Sequence, residues 1–301
     1  MKTCVLSLLF IFVGIFGYGD EIPVIFIHKS DSYYLKDSLW QAKQYNNRVI
    51  LIGDESNSHY DGVEHYRTEE YFSEAEDFAK IYQHQAVNPY NYELFCIQRW
   101  FVLKEFMEKN QIEKCFYCDS DIMLYCDVNE EYENFKDYEI SLIHKNDYTP
   151  YGRKYCYSGH SSYFTLKGIQ EVNKGIIEFY ANFETNRHLY QHISDMYVLD
   201  FFVKNWKELG GKIGPMEAII HNSRFEDHIS VEGDQYVMDK RGLKEVTWFD
   251  NQPYCYHKKL KRHIRFNILH FQAGKKKLMK YYRREALASS DVSLFTLTSD
   301  L

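Results

Sequence analysis

A chain of 301 residues that is 45% apolar, 26% charged and 17% aromatic can bury a real core beneath a solvated surface. That excludes a disordered, collagen-like or coiled-coil main state, and a net charge of −7 excludes a general nucleic-acid binder, which needs a basic face for the phosphate backbone. The charge is uneven, because Lys240 to Arg284 hold 14 Lys and Arg against 2 Asp and Glu. The C-terminal third therefore offers a surface for an anionic partner such as a membrane, with a solvated basic face as the plain alternative.

The chain opens with Met1-Lys2, an apolar run from Val5 to Phe16, and Gly17-Tyr18-Gly19-Asp20. An early positive charge, a short apolar stretch and small residues two apart read as a signal peptide over 1–19 or, if uncleaved, a short membrane anchor. The run is shorter than the roughly 20 residues a comfortable span needs. Either reading puts the protein in the lumen of the secretory pathway or on a membrane, with a cytoplasmic face as the alternative. Cys96, Cys115, Cys118, Cys126, Cys156 and Cys255 follow the leader, enough for disulfides in an oxidising compartment. Cys115 and Cys118 lie inside an apolar run and read as core thiols rather than a redox or zinc pair.

Ile22 to His28 is short, apolar and rich in β-branched residues, the mark of a buried strand. Asp31 to Tyr45 reads as a helix with Leu35, Leu39 and Ala42 on one face, and Arg48 to Ile52 as a second buried strand. Glu69 to Tyr82 is a polar helix. From Asn91 to Lys109 the apolar residues Leu94, Ile97, Phe101, Val102 and Phe106 keep a helical period. Ile112 to Cys118 and Ile140 to His144 supply two more strands. Strands alternating with helices predict an α/β fold with a Rossmann-like, mostly parallel central sheet flanked by helices. It forms a single compact domain over residues 20–285, with a tail over 286–301. Ligands of such sheets gather beyond the C-terminal strand ends, where His28, Asp54 and Asp119 fall.

Asp119-Ser120-Asp121 directly follows the strand ending at Cys118. In an extended chain residues i and i+2 share a face, so both carboxylates would converge on a hard cation. The spacing recurs at Glu74/Glu76, Glu131/Glu133, Asp137/Glu139 and Glu232/Asp234, but only Asp119/Asp121 comes straight off a buried strand.

The segment NYELFCIQRWFVLKEFMEKNQIEKCFYCDSDIML, Asn91 to Leu124, resembles the core of GT-A-fold glycosyltransferases. A helix carrying Arg99 precedes a strand that ends in Tyr-x-Asp-x-Asp. Leu269-His270-Phe271-Gln272-Ala273-Gly274-Lys275-Lys276-Lys277 resembles the C-terminal His-Phe-x-Gly-x-x-Lys element of the family-8-like, retaining group, although its Pro-Trp is missing. The resemblance implies a nucleotide-sugar donor, UDP-sugar favoured, a glycan or glycoconjugate acceptor, and Mn²⁺ or Mg²⁺. Asp119, Asp121 and His270 would then serve the metal, Arg99 the diphosphate or sugar, and Lys275 or Lys277 the phosphate. Ile27, His28 and Asp54 would lie near the base and ribose, and Gly159 would let a strand pass close to the donor sugar. Asp195, before an apolar helix with Val198, Leu199 and Phe202, would sit beneath the sugar acceptor; its plain alternative is a helix cap. Rival readings are a nucleotidyltransferase, a non-catalytic carbohydrate- or nucleotide-sugar-binding protein on the same scaffold, and a redox protein using Cys115 and Cys118. The first of these usually carries a Gly-rich phosphate loop after the first strand, and this chain has none there.

Overall fold

The computed structural model describes residues 21–149, 152–225, 228–230 and 235–283. The leader over 1–19, the tail over 286–301 and the pair Glu232/Asp234 lie outside them. Among the described residues the strands are β1 Val24–Ile27, β2 Val49–Gly53, β3 Glu64–Arg67, β4 Lys114–Cys118, β5 Ile122–Leu124, β6 Ile140–Thr149, β7 Gly152–Thr165, β8 Ile213–Pro215, β9 Ser223–Arg224, β10 Val246–Phe249, β11 Gln252–His257, β12 Arg262–Phe266 and β13 Ile268–His270. The helices are α1 Leu35–Lys43, α2 Ser73–Ala79, α3 Tyr90–Lys109, α4 Val128–Tyr132, α5 Leu166–Ala181, α6 Phe183–Asn186 and α7 Asp195–Glu208.

Seven strands build the central sheet in the order β3-β2-β1-β4-β7-β6-β8. Only β7 runs against its neighbours; the rest are parallel. The fold is thus α/β, as the alternation of apolar runs predicts. Ile25, Ile27, Ile50, Ile52 and Tyr117 face a core shared with α2, α3, α5 and α7. Their alternates Val24, Phe26, Leu51 and Phe116 pack with Leu35, Leu39 and Ala42 of α1 on the other side. A sheet covered on both faces needs unbroken apolar strands, which is why β1 and β2 stand out in the sequence. A third core joins Met123 and Tyr125 to the smaller sheet β10-β11-β12-β9.

Three expectations change. The helix expected over Glu69 to Tyr82 is split at Phe72 into a 3-10 turn, Thr68–Tyr71, and α2. The strand expected over Ile140 to His144 runs on to Thr149 as half of a long hairpin with β7. Cys96, Cys115, Cys118 and Cys126 are free thiols; Cys115 and Cys118 are fully buried, and burial pushes both thiols far up. No helix among the described residues is long and apolar enough to cross a membrane.

Candidate active site

Parallel pairing brings the ends of β1, β2 and β4 to one edge, so His28, Asp54 and Asp119 emerge together. Past β4 the chain does not stay extended. The Ile122 amide donates to the Asp119 carbonyl (3.2 Å) and closes a tight turn, while the Asp119 amide donates to the His160 carbonyl (2.8 Å). The turn is needed because β5 must pair antiparallel with β13, which sets Ile122 opposite His270. The two carboxylates therefore part company, contrary to the shared face expected of an extended chain.

Asp119 turns toward α3. Arg99 Nη1 donates to Asp119 Oδ1 at 2.6 Å, and the Tyr117 hydroxyl donates to the same oxygen at 2.6 Å. Arg99 Nη2 donates to Asp195 Oδ2, again at 2.6 Å. One guanidinium thus joins the end of β4 to the start of α7, with its carbon 4.8 Å from the Trp100 ring centroid. Burial works against the Arg99 charge, but Asp119, Tyr117 and Asp195 outweigh it and raise its pKa. Burial lifts the Asp119 carboxyl, against the pull of Arg99. Gly159 on β7 makes room beneath: a Cβ there would lie 2.4 Å from Trp100 Cη2. Its close approach is to this indole, not to open space for a sugar.

Asp121 turns toward β13. His270 Nε2 lies 3.3 Å from Asp121 Oδ1, and Lys276 Nζ 3.1 Å from Oδ2. Burial opposes the Asp121 charge, yet His270 and Lys276 outweigh it and hold the carboxyl well below the usual carboxylate range. The His160 ring lies 4.4 Å from that of His270, tilted by 38°, and both side chains are buried. The sequence points to Lys275 or Lys277 for the phosphate, but the lysine in the site is Lys276. The stretch Ala273–Tyr281 is a 3-10 helix, in which residues three apart eclipse. Lys276 therefore shares the inward face of buried Met279, Lys277 is exposed, and Lys275 is half-buried with no polar contact to the site.

The expected nucleotide side holds two structural residues. Asp54 accepts from the Ser30 amide (2.6 Å) and the Ser56 amide (2.9 Å), capping the 3-10 turn Glu55–Asn57. Ile27 is buried in the core. His28 spans the edge: its Nε2 pairs with Ser32 Oγ and its Nδ1 with Ser120 Oγ, each at 2.9 Å. This imidazole ties β1 to the Asp119-Ser120-Asp121 turn. Burial, then the Lys276 charge, push His28 from its ordinary 6.5 down to about 4. The unfolded chain therefore takes up the proton first. The stabilisation is full above pH 6.5 and is lost as pH falls from there toward 4, with a slope of about 1.4 kcal/mol per pH unit. Urea unfolding across that window should show the slope in the native protein and lose it in His28→Gln.

Asp195 opens α7. Its Oδ1 accepts from the Met196 amide (2.8 Å), and its own amide donates to Glu93 Oε1 (3.0 Å). Glu93 is 1% exposed; burial, then Asp195, raise its carboxyl. Asp195 thus combines a helix-start role with an ion pair to Arg99.

Asp121 and His270 present a carboxylate oxygen and an imidazole nitrogen to one spot, a donor set suited to Mn²⁺. Among the described residues no group of three or more His, Cys, Asp or Glu is placed to hold a metal, and Asp119 is engaged by Arg99. Two protein ligands nevertheless fit Mg²⁺-type chemistry, in which one or two carboxylates hold the ion and substrate phosphates and waters complete its shell.

No protein-family model and no curated protein sequence matches the chain. Solved structures overlap it in part. It is similar to the apo form of mouse xyloside xylosyltransferase 1, at 9% identity over 67% of this chain and 87% of that one, with a TM-score of 0.49. It is similar to the glycosyltransferase GlyE of Streptococcus pneumoniae, at 13% identity over 65% of this chain and 45% of that one, TM-score 0.36. A putative glucose-1-phosphate thymidylyltransferase from Bacillus anthracis gives 10% identity over 64% and 85%, TM-score 0.35. All three scores lie below 0.5, so the function is read from the side chains themselves.

Proposed function

We propose that the protein is a GT-A-type glycosyltransferase that moves a sugar from a nucleotide diphosphate donor, UDP-sugar favoured, to a hydroxyl of a glycan or glycoconjugate. The observation that supports this reading is the double ion pair of Arg99 with Asp119 and Asp195, 2.6 Å each, beside the separate cluster of Asp121, His270 and Lys276. The first arrangement suits a sugar carrying developing positive charge, the second a departing diphosphate.

Asp121 and His270 would hold Mn²⁺ or Mg²⁺, which would supply charge neutralisation for the leaving diphosphate. Lys276 binds a phosphate oxygen as a point charge, and Arg99 orients the sugar-proximal phosphate while keeping Asp119 and Asp195 in place. His28 and Ser120 fix the turn that carries both aspartates. Asp195 lies under the anomeric centre and favours its positive charge. Asp195 Oδ2 is occupied by Arg99 Nη2 at 2.6 Å, which favours retention: the acceptor proton leaves on a phosphate oxygen, not on Asp195.

The test is release of nucleoside diphosphate from a panel of nucleotide sugars with Mn²⁺, with and without a chelator. The expected result is metal-dependent release of UDP with the sugar transferred to an acceptor or to water. Pyrophosphate or nucleoside monophosphate as the product would point instead to a nucleotidyltransferase or hydrolase, and binding without turnover to a carbohydrate-binding protein.

A further inference from the structure

Two exposed tyrosine rings flank the charged centre, and they differ in what lies beside them. Tyr33, 63% exposed, follows β1 and meets Tyr34 at 5.3 Å between ring centroids. Tyr34 in turn contacts His28 (5.9 Å) and takes Lys276 over its ring at 4.6 Å. Tyr33 therefore belongs to the side of the diphosphate cluster. Tyr92, 61% exposed, belongs to the other side. It sits in the first turn of α3, and Tyr92, Cys96 and Arg99 follow one another at spacings of four and three residues, which places them on one helical face. The next residue, Glu93, holds the Asp195 amide. The phenol feels Cys96 most strongly, then loss of hydration, then Arg99, Asp195 and, more weakly, Lys276. Its hydroxyl makes no hydrogen bond to any described residue, and its ring makes no aromatic contact. A large ring left open on the wall of a site dense in charge is not there for packing.

We infer that the Tyr92 ring is the platform for a pyranose ring of the acceptor. This rests on the glycosyltransferase reading. A pyranose has an apolar C–H face and a hydroxyl rim, so it matches a flat aromatic surface bordered by polar groups. Asp195 marks where the acceptor hydroxyl meets the transferring carbon, and Tyr92 is the exposed ring next in sequence to Glu93, which holds the Asp195 amide.

The test uses the intact protein with the donor that releases UDP, and methyl glycosides of glucose, galactose and xylose as acceptor probes, with binding read by saturation-transfer NMR and transfer by product formation. At least one glycoside is expected to bind through its C–H face and to be glycosylated. Tyr92→Ala should raise the KM for that glycoside by about tenfold or more while the donor KM moves by less than about threefold. Tyr92→Phe, which keeps the ring, should restore the wild-type acceptor KM. An unchanged acceptor KM in Tyr92→Ala, Tyr92→Phe behaving like Tyr92→Ala, or a wild-type protein that releases UDP but binds none of the glycosides would each overturn the platform. Failure of the wild-type protein to release UDP from any donor would instead overturn the underlying function, and the platform with it.

Discussion

Arg99→Met should remove activity by about two to three orders of magnitude and weaken the fold at the same time. The guanidinium is the shared partner of two half-buried carboxylates, Asp119 and Asp195. Methionine leaves both desolvated and facing each other without a cation. Breaking a fully buried pair costs about 3–5 kcal/mol, the upper limit for this half-buried one, and losing a preorganised donor to developing charge costs about 100- to 1,000-fold in turnover. The stability loss should be largest near neutral pH. It should shrink as pH falls and the Asp119 carboxyl, which burial already lifts, takes up a proton and no longer needs a counter-charge. Arg99→Lys keeps the charge but reaches only one carboxylate, so it should recover part of the stability and little of the turnover. Urea unfolding at pH 7 and pH 4 with donor-release kinetics reads all three effects. A wild-type urea midpoint for Arg99→Met at pH 7 would contradict the central role given to this ion pair.

Asp121→Asn should act differently. The side chain keeps its shape but loses the charge that faces His270 and Lys276, and the Lys276 ammonium is exposed enough to take up water. The fold should survive with a small change in urea midpoint. Metal-dependent release of UDP should fall by about 100-fold or more, and saturating Mn²⁺ should not restore it. Mn²⁺ binding in the presence of UDP, followed by water-proton relaxation, separates a metal defect from a folding defect. An unchanged Mn²⁺ activation curve would remove Asp121 from the ligand set.

The strands and helices around the site were legible because burial on both faces forces β1, β2 and β4 into unbroken apolar runs, and α3 keeps a helical period. That placed His28, Asp54 and Asp119 at one edge and put Arg99 on the adjoining helix. What the sequence hid depends on phase and on long-range pairing. Asp119 and Asp121 look like one two-carboxylate motif, but the turn needed to pair β5 with β13 sends them to different partners. The choice of Lys276 over Lys275 and Lys277 depends on a 3-10 rather than an extended path. Glu93 is one of 43 acidic residues, and nothing local marks it, because its partner Asp195 lies 102 residues away. The strand β7 was hard to see because it carries Ser161 and Ser162, both fully buried, one on each face, where an apolar run would be expected. Asp54 was correctly placed at the edge, yet its carboxylate is occupied by its own loop.

Co-crystallisation with Mn²⁺ and a non-hydrolysable UDP-sugar measures the core of the account directly. The ion should lie between Asp121 and His270, with Lys276 transferred from Asp121 to a phosphate oxygen and the sugar resting above the Arg99–Asp195 pair. An ion bound elsewhere, or a nucleotide whose phosphates avoid both Lys276 and Arg99, would contradict it.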